Sequence, residues 1–349
     1  MDFIQISIGI AISFILGIVL IPILIKLSYK YNFLDLPGKH KRHKKPTPII
    51  GGIGLFFVFW ITFLILKFTY PETFFEIDSS ILYIFLGSLI ILLVGLADDI
   101  VPLAAWVKLA AQISSAIVIY IGGLQVELVS SPWGSIDIGN FSIILTIIWV
   151  IMLTNSINLI DGLDGLASGV SLIGSVILLI ISVLYGINYV SLILSGLIGF
   201  LIIFLYYNKY PARIFLGDSG SMQIGYYFAV FSLIFPMKSY ALSALYIPLV
   251  VLAVPIIESV TSFFRRLISG KKIMVADRRH LFHYLTFLGF SSKQVLTIFY
   301  ILAIIFGLFA LGMFFWNRLI LFGLLLFFMV VIFVLFFILL TKITSARKK

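Results

Sequence analysis

The chemically telling residues of this chain are acids set at the ends of long apolar stretches. In Asn158-Leu159-Ile160-Asp161-Gly162-Leu163-Asp164-Gly165, a carboxamide and two carboxylates recur every third residue. The run lies between an apolar stretch from Phe141 to Thr154 and another from Leu166 to Tyr185. Charged groups in such a place are costly unless a cation or polar partner meets them. If the run is helical, Asn158, Asp161 and Asp164 share one broad face, which suits a metal ion or a polar ligand. The alternative is a polar interhelical turn in which Gly162 and Gly165 allow close packing. Ala97-Asp98-Asp99-Ile100, with Lys108 further on, ends another apolar stretch. Its paired acids repel each other unless a cation or proton intervenes. Mg²⁺, which takes oxygen ligands, is an economical partner; a solvated helix end anchored by Lys108 is the alternative.

Three more segments add phosphate chemistry. In Phe215-Leu216-Gly217-Asp218-Ser219-Gly220-Ser221, the glycines give a tight turn whose N–H groups could face phosphate at a helix start. Asp218 could ligate a metal bridging to that phosphate, although Asp-Ser-Gly is also an ordinary N-cap. Asp277-Arg278-Arg279-His280-Leu281-Phe282-His283 sets two Arg and two His in seven residues, which suits phosphate oxygens or a solvated basic face. The stretch from Asp35 to Pro48, with Arg42, His43 and Thr47, could clamp a phosphorylated substrate or be a basic juxtamembrane loop. Carboxylates in three separate segments, with Arg, His and Lys beside them, suggest Mg²⁺ and several phosphates. Phosphoryl transfer needs mostly positioning and charge neutralisation, and these residue types supply both.

The elements that must position these residues are membrane helices. Apolar residues make up 62% of the chain and charged residues only 11%, far from the balance of a soluble domain. The hydropathy predicts an all-α polytopic membrane protein with about eleven transmembrane helices, roughly 3–25, 49–69, 80–97, 104–121, 141–157, 165–185, 189–207, 219–236, 240–264, 295–315 and 319–341. The first has no cleavage site and reads as a retained helix. With the Leu27–Pro48 loop inside, all of the 24 Lys and Arg except Lys67, Lys238 and Arg318 fall inside. That bias puts the N-terminus outside and the C-terminus in the cytoplasm. It also places every acidic motif named above on the cytoplasmic side. Alternation over 124–138 around Ser131-Pro132-Trp133-Gly134 predicts a small external β-hairpin. Pro255 and Glu258 fall inside the ninth span, where the proline predicts a kink. No repeat or long linker divides the chain, so residues 1–349 read as one membrane domain. The absence of Cys excludes disulfides and thiolate metal sites. The net charge of +10 suits anionic lipid, and no aromatic-basic motif supports nucleic-acid binding.

Asp98-Asp99 with Lys108, the Asn158–Gly165 run, Gly217-Asp218-Ser219-Gly220 and Asp277-Arg278-Arg279-His280 together resemble the polyprenyl-phosphate N-acetylhexosamine-1-phosphate transferases, from about Asp35 to His283. That superfamily includes phospho-N-acetylmuramoyl-pentapeptide transferase. The last motif is more similar to the branch that makes undecaprenyl-diphospho-N-acetylglucosamine for O-antigen, enterobacterial common antigen or teichoic acid. The resemblance implies a bacterial plasma-membrane enzyme with a cytoplasmic site that uses UDP-N-acetylglucosamine, undecaprenyl phosphate and Mg²⁺ or Mn²⁺; a homodimer is a family expectation. It implies Asp218 as the metal ligand, supported by Asp99, and Asp98 as the group that orients or deprotonates the lipid phosphate. Asn158 and Asp161 would hold the metal–diphosphate complex, Asp164 the uridine, and Lys108, Arg279, His280 and His283 the phosphate charge. Ser221, Arg278, Arg42, His43 and Thr47 would serve substrate binding. Two departures stand out. Phe282 occupies the middle position of a pattern that usually reads His-x-His-His, and His40-Lys41 precedes Arg42-His43 where Arg-Lys is usual. A rival from another class is an ion-coupled transporter, but the acids sit at span ends and no inverted repeat is visible.

Overall fold

The computed structural model describes residues 3–38, 45–131, 134–234, 246–268, 281–315 and 323. Its first half runs α1 (Phe3–Tyr31), β1 (Leu34–Asp35), β2 (Thr47–Pro48), α2 (Gly51–Thr69), α3 (Asp78–Ile100), α4 (Ala105–Ile121), β3 (Leu128–Ser131), β4 (Gly134–Asp137) and α5 (Ser142–Ile160). The second half continues through α6 (Leu166–Leu184), α7 (Asn188–Asn208), α8 (Gly217–Ile234), α9 (Tyr246–Val251), α10 (Ala253–Ile268), α11 (Leu281–Phe287) and α12 (Ser292–Phe315). Among the described residues, seven helices are long and apolar enough to cross a membrane. The chain is therefore a multi-pass, all-α membrane protein. Two short antiparallel pairs accompany the helices: β1 with β2, and β3 with β4.

The helix order explains where polar groups can be placed. α8 occupies the centre, and every one of its residues except Asp218 is buried. It is flanked by α2, α3 and α5. Interhelical hydrogen bonds tie this group together: Trp149 Nε1 donates to Ser232 Oγ at 2.7 Å, Tyr226 Oη to the Ile84 carbonyl at 2.9 Å, and Trp60 Nε1 to Ser88 Oγ at 3.0 Å. A second group forms where α7 lies between α1 and α6. The buried stripe of α1 includes Gly9, Ser13 and Gly17, spaced by four, and Ser13 Oγ reaches the Gly196 carbonyl of α7 at 2.5 Å. Lipid supplies no hydrophobic drive for helix association, so small residues and such bonds set the contacts.

One expectation changes, the kink expected at Pro255 has a counterpart, and one span falls outside the described residues. The run from Asn158 is helical only through Ile160; Asp161 is the cap of α5, and a turn follows. Two glycines at 162 and 165 favour that exit, and Gly165 takes φ +81°, which a side chain would resist. The ninth span is broken between α9 and α10, where Pro255 can neither bond to the Val251 carbonyl nor avoid it. The eleventh span, 319–341, lies outside the described residues apart from Gly323.

Candidate active site

The site begins with the turn that opens α8. Gly217 has φ +70°, so the chain reverses there and points the first N–H groups of α8 outward. Asp99, from the end of α3, meets them. One of its carboxylate oxygens accepts the Asp218 N–H at 2.7 Å; the other accepts the Ser219 N–H at 3.2 Å and the Ser219 hydroxyl at 2.7 Å. The acid therefore caps a helix other than its own. Glycines on two neighbours permit the approach. A Cβ on Gly95 of α3 would lie 2.7 Å from Ser219 N, and one on Gly52 of α2 would lie 2.5 Å from Gly220 N. The Phe215 and Leu216 carbonyls also accept the first N–H groups of α2, from Gly51 at 3.0 Å and Gly52 at 3.1 Å. One packed junction thus fixes Asp218.

Around Asp218 the partners divide by charge. Its Oδ2 receives Lys108 Nζ of α4 at 2.9 Å, and its Oδ1 receives Asn158 Nδ2 of α5 at 3.1 Å. Lys108 also reaches Asp98 Oδ2 at 3.1 Å, while Asp98 Oδ1 accepts the Leu103 N–H at 2.7 Å. Asn158 donates to Ser221 Oγ at 2.9 Å. The structure thus brings Asp98, Asp99, Lys108, Asn158, Asp218 and Ser221 together from four helices.

A cleft of about 1400 Å³ opens beside this cluster. Asp99, Asn158, Asp161, Asp164 and Asp218 line it, as do Thr47 and His283. Asp161 is pushed up to about 8 by burial first, then by the charges of Asp218, Asp99 and Asp164. Asp164 is already engaged: its Oδ2 accepts the Ala212 N–H at 2.9 Å, which holds the loop after α7. Thr47, on β2, donates its hydroxyl to the Lys45 carbonyl at 3.1 Å. Arg42, His43, Arg278, Arg279 and His280 lie outside the described residues.

Several groups at this end of the bundle were not singled out from the sequence. Lys26 of α1, Arg213 and Lys293 add cations to the cleft wall, beside Lys45 of the Asp35–Pro48 stretch. Asn208 closes α7 and accepts the Gly165 N–H at 3.0 Å and the Ser168 hydroxyl at 2.7 Å, fixing the turn below Asp164. Gln112 Oε1 accepts Asn155 Nδ2 at 2.8 Å, one turn away from Lys108 and Asn158. Their spacing was a usable signal: Lys108 and Gln112 are four apart, Asn155 and Asn158 three apart, so each pair shares a helix face.

The donor set suits a hard cation. Among the described residues, no three His, Asp or Glu side chains group closely enough to hold a metal ion unaided. Mg²⁺ characteristically binds through one or two carboxylates, water and substrate phosphates. Asp218, Asp161 and Asp99 all line the cleft; the Asp218 oxygens accept only side-chain donors, Lys108 and Asn158, whereas both oxygens of Asp99 are bound to the first N–H groups of α8.

A family model described as glycosyl transferase family 4 matches residues 81–236, which spans Asp98 through Ser221. A Bacillus subtilis (strain 168) protein named "Probable undecaprenyl-phosphate N-acetylglucosaminyl 1-phosphate transferase" is 32% identical over 310 residues, covering 88% of this chain and 85% of that protein. The phospho-N-acetylmuramoyl-pentapeptide-transferase of Staphylococcus saprophyticus is 30% identical over 322 residues, 87% of this chain and 96% of the relative. The decaprenyl-phosphate N-acetylglucosaminephosphotransferase of Mycobacterium leprae is 29% identical over 303 residues, 79% of this chain and 75% of the relative. On that match and those similarities, the chain belongs to glycosyl transferase family 4, the polyprenyl-phosphate sugar-phosphate transferases that its acidic motifs resemble.

Proposed function

We propose that this protein transfers N-acetylglucosamine 1-phosphate from UDP-N-acetylglucosamine to undecaprenyl phosphate, releasing UMP, on the cytoplasmic face of a bacterial plasma membrane. The product would be the first membrane-bound intermediate of a cell-surface polysaccharide. The observation that carries the reading is the Asp98–Lys108–Asp218–Asn158 cluster, whose Asp218 and Asn158 line a cleft large enough for a nucleotide sugar.

In this reading a lipid phosphate oxygen attacks the β-phosphorus of the nucleotide sugar. The bond from that phosphorus to the bridging oxygen breaks, and the electron pair leaves with UMP. Mg²⁺, held by Asp218 with Asp161, would supply charge neutralisation on the diphosphate. Lys108 neutralises phosphate charge next to Asp218, and Asn158 holds the Asp218 carboxylate in place. Asp99 acts as a positioning residue through its cap on α8, a different task from the ligand role the resemblance implies. Asp98 orients the acceptor. Both of its oxygens already accept hydrogen bonds, from Leu103 and Lys108, and a covalent phosphoryl-Asp98 would sacrifice them. The acceptor phosphate is itself an anion, so a single displacement with well-placed reactants suffices.

The similarity to the Staphylococcus saprophyticus relative favours one other donor, UDP-N-acetylmuramoyl-pentapeptide. Purified protein is incubated with Mg²⁺, undecaprenyl phosphate and each labelled donor in turn. UMP release with UDP-N-acetylglucosamine and not with the pentapeptide donor is expected. No UMP from any UDP-amino sugar refutes the transferase reading.

A further inference from the structure

Glu258 is an acid within the apolar part of α10, and it is only 1% exposed. An ionisable group buried in a membrane helix needs a specific task or partner. Both of its carboxylate oxygens accept the backbone N–H of Leu281, each at 3.0 Å. Leu281 opens α11, so this bond ties the start of α11 to α10. A second tie follows from the same helix, where the Arg265 guanidinium lies 5.8 Å from the centre of the Tyr284 ring.

The residue after Leu281 is the departure noted in the sequence. Phe282 is 2% exposed, and its ring presses on Gly162. A Cβ at Gly162 would come within 2.9 Å of Phe282 Cε1 and 3.0 Å of Cε2, and closer still to Cζ. The backbone of Gly162 lies outside the left-handed region, so the turn itself would accept alanine. The missing side chain is a requirement of Phe282. Gly162 stands between Asp161 and Asp164, and Phe282 and His283 share the cleft wall with all three. A buried imidazole at 282 would need a hydrogen-bond partner; a phenyl ring does not.

We propose that Glu258 and Phe282 form a positioning latch. Glu258 fastens the start of α11, Phe282 bears on Gly162, and the turn carrying Asp161 and Asp164 is thereby held at the cleft beside His283. The latch rests on the transferase reading for its kinetic test alone.

KM and kcat for each substrate are measured on the full chain carrying Gly162→Ala, Phe282→Leu, both together, Glu258→Ala and Glu258→Gln. Gly162→Ala is expected to raise KM for the nucleotide sugar about tenfold, a modest result for overpacking against a rigid ring. KM for the lipid phosphate stays put. Adding Phe282→Leu makes room and restores most of the loss. Glu258→Ala repeats the rise, and Glu258→Gln, which keeps an oxygen for the Leu281 N–H, restores it. A merely structural loss would lower the active fraction, hence kcat, and leave both KM values alone. Additive effects of Gly162→Ala and Phe282→Leu, unchanged KM values, or Glu258→Gln as damaging as Glu258→Ala overturn the latch. The Gly162–Phe282 coupling is also read in the thermal midpoint of the ligand-free protein. Absence of UMP release then refutes the reaction, and the coupling still decides the latch.

Discussion

Asp99→Asn separates two roles that the paired acids of α3 allow. As a cap, Asp99 takes three hydrogen bonds, from the Asp218 N–H, the Ser219 N–H and the Ser219 hydroxyl. Asparagine keeps one carbonyl oxygen, enough for the Asp218 N–H. Its NH₂ then faces the Ser219 N–H, donor against donor, while the hydroxyl can turn to accept. One buried amide is left unmade, which costs roughly 1–3 kcal/mol. Loss of the anion from a helix N-terminus adds about 0.3–1 kcal/mol. Together the metal-free protein is expected to lose about 2 kcal/mol, which lowers its thermal midpoint by roughly 3–6 °C. Slippage of the turn by a fraction of an ångström at Asp218 is expected to cut kcat about a hundredfold. Ser219→Ala removes only the hydroxyl bond and should cost about 1 kcal/mol. The assay is thermal unfolding in EDTA and in Mg²⁺, paired with UMP release. A direct metal ligand predicts the opposite sign without metal, because one of four neighbouring acids would be gone and repulsion relieved. An Asp99→Asn protein as stable as the wild type in EDTA, but no longer stabilised by Mg²⁺, would refute the capping role.

Three further outcomes are expected. Gly95→Ala pushes a methyl to 2.7 Å from Ser219 N; overpacking of about 1–3 kcal/mol and loss of UMP release should follow, and full activity would show that the turn can yield without disturbing Asp218. Lys108→Met removes the ammonium that bridges Asp98 and Asp218 at 3.1 and 2.9 Å. Turnover should fall about a hundredfold, while calorimetry on the nucleotide-free protein should find Mg²⁺ bound no more weakly; weaker Mg²⁺ binding contradicts the placement of Lys108 against the cation site. Asp161, raised to about 8, holds its proton in the folded metal-free protein over a range where the unfolded chain, titrating near about 4, has lost it. Stability in EDTA should therefore fall as pH rises from about 4 to about 8. Over the upper part of that window Mg²⁺ affinity should rise with pH as binding displaces the proton. Asp161→Asn should reduce the slope of both profiles, and a pH-independent Mg²⁺ affinity in the wild type would count against Asp161 as a ligand.

How much of this was legible depends on what each feature needs. Helix limits needed only hydropathy, and α2, α5, α6 and α7 begin and end within a few residues of their expected spans. The candidate residues needed only chemistry and position, since acids at span ends are expensive anywhere else. The split between Asp98 and Asp99 needed more. Consecutive helical residues point about 100° apart, so one acid had to face the loop and Lys108 and the other had to face a neighbour. Which did which depended on α8, whose approach no local pattern encodes. The exit of the chain from α5 at Asp161 was closer to readable, because glycines at 162 and 165 speak against a continuing helix.

The remaining gap lies in the glycines themselves. Gly52, Gly95 and Gly162 look alike in sequence, but the first two are required by the backbone at Ser219, approached from two sides, and the third by the Phe282 ring. Helices in lipid gain little from burying apolar faces against each other, so contact follows from shape. A missing Cβ marks that something comes close without saying what. Asp218 therefore owes its place to two close approaches on either side of its turn and to a carboxylate borrowed from α3. That makes the site more sensitive to a methyl group on α2 or α3, outside the cleft chemistry, than to loss of a single bond such as the Ser219 hydroxyl. The ordering of Gly95→Ala below Ser219→Ala in activity follows from this geometry, and the reverse order would mean that the cap, not the close packing, holds the turn.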